Sequence, residues 1–287
     1  MKTTTPLVPA LPELLIKPLV EHALKEDLGR AGDITSAAIV TAKQQSELYL
    51  VSRAAGVLAG IDLARLAFEA MDAQVQFEIL VADGARLEPG TRIARIQGSA
   101  LALLSAERTA LNFICHLSGV ASATADLVQR IQPHQSRIVC TRKTTPLLRN
   151  VEKYAVRVGG GSNHRFGLDD AVLIKDNHIA IAGSLPLAVE RARAAIGQLV
   201  KIEVEVDTLE QLDELLGLDV DVVLLDNMPP AMLTEAVRRI EGRMLSEASG
   251  GITPDTIAQV AATGVDSIAV GWITHSAPIL DIGLDAL

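Results

Sequence analysis

From residue 137 to residue 270 the sequence repeats one rhythm: a short apolar run, a polar turn, then a stretch of helical spacing. The apolar runs fall at 137–140, 171–174, 202–206, 220–225, 244–247 and 267–270. They are too short for helices, so they read as strands with helices between several of them. Nothing marks a hairpin, so successive strands run parallel through helical crossovers. Such a sheet is buried on both faces, which suits a core of Ala, Leu, Val and Ile in a chain with only 2% aromatic residues. No Gly-x-Gly-x-x-Gly follows the first strand, so the fold class is α/β with an incomplete parallel αβ barrel. Local signals place some helices: Thr208 with Gln211 forms a capping box, Pro229 and Pro230 open a helix, and Thr253 and Pro254 start one ending at Gly264.

The first hundred residues follow another rule. Residues 12–29 read as a helix stopped at Gly29. Short strands then alternate around a helix at 61–71, with turn-rich residues at 83–90, giving an α+β arrangement of antiparallel strands. A long helix capped by Ser105 and running to about Ile131 would extend on the order of 40 Å and bridge two domains. Gly119 is its weak point.

The net charge of −9 argues against nucleic acid as a partner. No signal peptide and no run of uncharged apolar residues long enough to span a membrane is visible, so no membrane is expected and a cytoplasmic location is. Cys115 and Cys140 read as buried reduced thiols.

Active sites of αβ barrels collect where the strands end. Here those ends carry Thr141, Arg142 and Lys143; Lys175, Asp176, Asn177 and His178; Glu203 and Glu205; Asp226 and Asn227; Ser249, Gly250 and Gly251; and Gly271. Between the first two strands Gly159, Gly160 and Gly161 present His164 and Arg165. Four fixed cations and a histidine at one end repel one another unless an anion offsets them. Arginine forks bind carboxylates and phosphates bidentately, so the expected ligand is a small polyanion. Glu205 and Asp226 can take sugar hydroxyls or Mg2+. Glu203, two residues before Glu205 on the same strand face, is expected deeper, paired with a lysine. Ser249, Gly250, Gly251 and Gly271, after the last strands and beside a helix start, form the expected phosphate site.

The stretches Thr141 to Pro146, Glu152-Lys153-Tyr154, Gly159 to Arg165 and Lys175 to His178 resemble the quinolinate phosphoribosyltransferases. So do Glu26-Asp27-Leu28-Gly29, Gly32-Asp33-Ile34-Thr35, Glu107 to Asn112 and Glu203 to Asp207, in the same order along nearly the whole chain. The resemblance implies an N-terminal α+β sandwich domain at 1–116, completed by 274–287, and a phosphoribosyltransferase barrel at 117–273. It implies transfer of phosphoribosyl from 5-phosphoribosyl-1-pyrophosphate to quinolinate with Mg2+, giving nicotinate mononucleotide, pyrophosphate and CO2 in NAD biosynthesis. Arg142, His164, Arg165 and Lys175 would surround the quinolinate carboxylates, and Lys143 the reacting centre. Glu205 and Asp226 would hold ribose or metal; Ser249, Gly250, Gly251 and Gly271 would hold phosphate. Catalytic work would fall to Lys143, Glu205 and Asp226, with Thr141 also binding substrate. Arg108 would reach the partner's site in a homodimer. One departure is Leu147, where the family usually has glycine.

Three rival readings remain: a related phosphoribosyltransferase for another acidic base, a Schiff-base aldolase with Lys175 as nucleophile, and an inert metabolite-binding protein.

Overall fold

The computed structural model describes residues 8–286. Contacts divide the chain into two units: residues 8–125, 150–160 and 276–286, and residues 126–149 and 161–275.

In the first unit α1 (Glu13–Leu28) and α2 (Ile34–Ile39) precede β1 (Gln45–Ser52), β2 (Gly56–Val57) and α3 (Ile61–Met71). Strands β3 (Gln76–Ile79), β4 (Arg86–Leu87) and β5 (Arg92–Ser99) lead into α4 (Ala100–Arg130). The strand Ile282–Asp285 pairs antiparallel with β1, so the main sheet contains residues from both ends of the chain. Alternation in β1 buries Leu48, Leu50 and Ser52 on one side, the period of two that a half-covered antiparallel sheet requires.

Helix α4 begins five residues before the Ser105 expected to cap it. The strand β5 runs straight into it, and Ala100 N–H donates to Gln44 O at 2.9 Å. Ser105 is therefore mid-helix, where its hydroxyl donates to Asp33, the residue that caps α2. Gly119 is also more than a weak point: a Cβ there would overlap the Pro278 carbonyl, so glycine permits the close approach of the returning tail. Among the described residues α4 is long and apolar enough to cross a bilayer, but 56% of its most apolar stretch is already buried in the protein.

The second unit holds β6 (Arg137–Val139), β7 (Val172–Ile174), β8 (Ile202–Val206), β9 (Val222–Asp226), β10 (Leu245–Ser249) and β11 (Ser267–Ala269). Helix α5 (Arg149–Val158) lies between β6 and β7 in sequence, and most of it groups with the first unit. The six strands form one sheet in the order β6-β11-β10-β9-β8-β7, and every pair is parallel. Among the described residues β6 and β7 do not pair, so the barrel stays open there, as an incomplete barrel must. The central strands bury consecutive residues, for example Ile202, Glu203 and Val204, because helices α7 (Leu185–Ala195), α8 (Leu209–Leu215) and α9 (Pro230–Ile240) pack against the sheet.

The remaining elements are α6 (Asp176–Ala182), α10 (Ile257–Ala261), α11 (Trp272–His275) and β12 (Ile282–Asp285). The Thr208–Gln211 capping box and the Pro230 start of α9 form as the sequence indicates. The helix expected from Thr253 is shorter: α10 starts at Ile257, after a turn in which the Thr256 hydroxyl accepts from Thr253 N–H.

Candidate active site

Two cavities abut at the C-terminal ends of the parallel strands, both within the second unit. The first, about 270 Å³, is lined by the cations Arg142, Lys143, Arg165 and Lys175, together with His164, Glu205 and Asp226. The second, about 470 Å³, is walled by Asn227, Ser249, Gly250, Gly251, Gly271 and Trp272. Thr141, Lys143, Asp226, Ser249 and Ala269 line both. The expected site residues therefore come together, save one. Arg108 is exposed on α4 in the first unit and lines neither cavity.

The loop after β6 is fixed by its own backbone. Lys143 N–H donates to the Thr141 hydroxyl at 3.0 Å, and Thr274 Oγ1 donates to Lys143 O at 2.8 Å. Arg149 ties this loop to the next one, donating to Thr144 Oγ1 at 3.1 Å and to Phe166 O at 2.9 Å. Leu147 lies in this loop with φ +69° and 92% exposure, a left-handed conformation that glycine adopts without strain.

The arginines are built to receive something. Nε of Arg142 and Nε of Arg165 are both buried with no hydrogen-bond partner among the described residues. Arg165 Nη1 donates to Ala171 O at 2.9 Å, which holds one edge of the fork. Burial, and then the Arg142 charge beside it, lowers the Arg165 guanidinium from its ordinary value. Two like charges with buried unfilled donors are a costly arrangement that an anionic ligand would relieve.

Opposite them, Lys175 Nζ is hydrogen-bonded to Glu205 Oε2 across the β7–β8 pair. Asp226 accepts from Asn227 Nδ2 at 2.6 Å, and the register sets Asp226 directly beside Ser249 on β10. Asn227 has φ +53°, and its carboxamide oxygen would overlap any Cβ placed on Gly250. Gly250, itself at φ +97°, therefore admits only glycine without rearrangement.

Glu203 is buried as expected, but its partner is not a lysine. His164 Nε2 sits 2.7 Å from Glu203 Oε2: the loop after the three glycines carries the histidine to β8, while Lys143 and Lys175 are exposed and Lys175 is taken by Glu205. Glu247 on β10 was not singled out from the sequence, yet it lines the cavity beside them. The signal was present: Glu247 and Ser249 are two apart on one strand, the spacing that relates Glu203 to Glu205. Burial, and then the charge of Glu203, pushes Glu247 up to about 7.

Other motif residues serve the scaffold. His178 Nδ1 accepts from Lys175 N–H at 2.9 Å at the start of α6. Tyr154 donates to Asp83 at 2.8 Å, and Asp83 in turn accepts from Gly60 and Ile61 N–H at the start of α3. Glu152 is fully buried, and its Oε1 is hydrogen-bonded with His116 Nε2 at 2.9 Å.

Comparison with known proteins gives a consistent picture. The family profiles "Quinolinate phosphoribosyl transferase, N-terminal domain" and "C-terminal domain" match residues 33–118 and 120–285. A probable nicotinate-nucleotide pyrophosphorylase [carboxylating] of Bacillus subtilis is 44% identical over 272 residues, covering 95% of this chain and 93% of the relative. The nicotinate-nucleotide pyrophosphorylase [carboxylating] of Mycobacterium leprae is 46% identical, covering 93% and 95%. The crystal structure of NadC from Streptococcus pyogenes superposes with a TM-score of 0.93 at 41% identity, covering 97% of this chain and 99% of that one.

Proposed function

The chain belongs to the quinolinate phosphoribosyl transferase family, and from that membership we propose how its two cavities divide the work of the family reaction. The enzyme transfers phosphoribosyl from 5-phosphoribosyl-1-pyrophosphate to quinolinate and releases pyrophosphate and CO2, leaving nicotinate mononucleotide for NAD biosynthesis. The observation that carries the division is the pair of unfilled buried arginine nitrogens on one side of Lys143 and the glycine-rich wall on the other.

In this reading Arg142, Arg165 and Lys175 hold the two quinolinate carboxylates, with His164 behind them. Ser249, Gly250, Gly251 and Gly271 hold phosphate, and Thr141 and Lys143 stand between the two. Breaking the bond from ribose C1 to pyrophosphate develops positive charge on the sugar, which the carboxylates of Glu205 and Asp226 offset while binding its hydroxyls. Lys143 is placed to meet the departing pyrophosphate. The pyridine nitrogen must be held close behind C1, and the arginine forks supply that orientation. Once ribosylated, the ring is cationic; it accepts the electron pair of the C2–carboxylate bond as CO2 leaves, and C2 then takes a proton.

Glu205 and Asp226 also fit Mg2+, which prefers oxygen donors beside a phosphate-bearing substrate. Bound there, the ion would neutralise charge on the leaving pyrophosphate. We place Arg108 at the partner's site in a homodimer, supported by its exposure on α4 and its distance in sequence from the cavity residues. A cytoplasmic location is supported by the burial of both cysteines, Cys115 and Cys140, in the core. The test is incubation with quinolinate, 5-phosphoribosyl-1-pyrophosphate and Mg2+. Release of CO2 with formation of a mononucleotide is expected; turnover of nicotinate in place of quinolinate would overturn the substrate.

A further inference from the structure

His164 has both ring nitrogens committed. Its Nδ1 accepts the Arg165 main-chain N–H at 2.8 Å, and its Nε2 lies 2.7 Å from Glu203 Oε2. An amide N–H can only donate, so Nδ1 carries the lone pair and Nε2 the proton. The ring is thus a neutral imidazole that donates to Glu203. This differs from the cationic role a histidine among arginines suggests.

Glu247 stands beside this pair and lines the cavity with His164. Its Oε1 is 3.6 Å from His164 Nε2, and its Oε2 accepts from Ser267 Oγ at 3.1 Å. The side chains of Glu203 and Glu247 are only 9% and 6% exposed, and each keeps one Oε1 with no hydrogen-bond partner among the described residues. The ligating atoms of the three residues lie within 4.8 Å of one another. No ring lone pair faces the carboxylates, so the cluster is not arranged to ligate a cation. Two adjacent buried carboxylates cannot both ionise cheaply, and a proton on one of them removes the repulsion.

We propose that Glu247 is a positioning residue: as the uncharged companion of Glu203 it leaves Glu203 in place against the neutral His164 ring, and His164 thereby holds the Arg165 main chain in register with the first cavity. Were Glu247 to lose its proton to solvent beside Glu203, the two like charges would repel across His164 Nε2 and drive the carboxylates apart. The imidazole, bonded to Glu203, would shift with it, and the Nδ1 contact to the Arg165 N–H would break. The upward displacement of Glu247 to about 7 agrees with this arrangement. The charged groups that line the cavity with the cluster are Arg142 and Lys143 after β6, Arg165 after α5, Lys175 after β7, Glu205 on β8 and Asp226 on β9.

The inference rests on the reading of the first cavity as the dicarboxylate site. Quinolinate binding to the wild-type protein, by calorimetry, tests that reading separately. With binding established, Glu247→Gln and Glu247→Ala are compared for quinolinate KM and kcat between pH 6 and pH 8.5. The uncharged, isosteric Gln is expected to keep KM within about twofold at pH 6, while Ala raises it about tenfold with a smaller change in kcat. Wild-type affinity is expected to weaken as pH rises through about 7, and that limb is expected to vanish in Glu247→Gln. A Gln variant as impaired as Ala, or one that keeps the wild-type pH limb, would overturn the proposal. If the Ala variant does not fold, the pH limb of the Gln variant decides alone.

Discussion

Lys175 Nζ donates to Glu205 Oε2, so a cation of the dicarboxylate cavity is bonded to an acid that faces the ribose in the proposed reaction. Lys175 directly follows β7 and Glu205 is the last residue but one of the neighbouring β8, and each neutralises the other. In the proposed reaction, substrate carboxylates would draw Lys175 away and so free Glu205.

Replacing Lys175 with Met tests this exchange. A hydrogen bond between charged groups contributes about 1.5–3 kcal/mol, so quinolinate affinity should fall by roughly ten- to a hundredfold. Calorimetric titration with quinolinate alone reads this directly. An unchanged affinity would remove Lys175 from the carboxylate site.

Gly250→Ala should separate the two cavities. The added methyl overlaps the Asn227 carboxamide, and the backbone has φ +97°. The KM for 5-phosphoribosyl-1-pyrophosphate should rise by more than about tenfold, while quinolinate binding to the free enzyme stays within about twofold. Equal loss of both substrates would contradict the division.

Leu147→Gly should relieve strain outside the chemistry. A non-glycine residue in the left-handed region costs on the order of 1–3 kcal/mol, and glycine loses up to about 1 kcal/mol of that gain through chain entropy. A net stabilisation of about 1 kcal/mol in urea unfolding is expected, with kcat unaltered. Destabilisation would mean that the exposed leucine packs against something in solution.

Asp33 caps α2 by accepting from Ser36 N–H at 2.9 Å. Hydrogen bonding from Ser36, side chain first and then main chain, holds its carboxyl below the usual aspartate range, with Ser105 adding to it. A depressed folded pKa gives stability that is present above the unfolded value and is lost as pH falls through the folded one. Asp33→Ala should therefore cost ~1 kcal/mol at pH 7, and the difference from wild type should shrink as pH falls below the unfolded aspartate value. Denaturant curves at pH 7 and pH 3 check the sign.

Subunit mixing tests the role of Arg108. If it completes the partner's site, Arg108→Ala and Arg142→Ala are each inactive, yet a randomly reassorted mixture has one intact site in each mixed dimer. Activity should recover to about a quarter of wild type. No recovery would confine Arg108 to its own subunit.

The sequence by itself determined the strands and most of what they carry at their ends. The six apolar runs at 137–140 through 267–270 fold within two residues of the positions their patterning indicates, because burial on both faces leaves few residues able to serve there. The polar residues at their ends were legible for the same reason, since they interrupt those runs. What the tertiary structure decided are the pairings between segments far apart in the chain. Ser105 looks like a helix start, yet it bonds to Asp33, 72 residues away. Glu203 read as the partner of a lysine, and His164 takes that place because a loop carries it to β8. Glu247 sits on the same strand face as Ser249, but only the register of β10 between β9 and β11 brings it to the histidine. Local periodicity records which face a residue occupies; it holds no record of what stands opposite, and a buried carboxylate takes its protonation state from that neighbour.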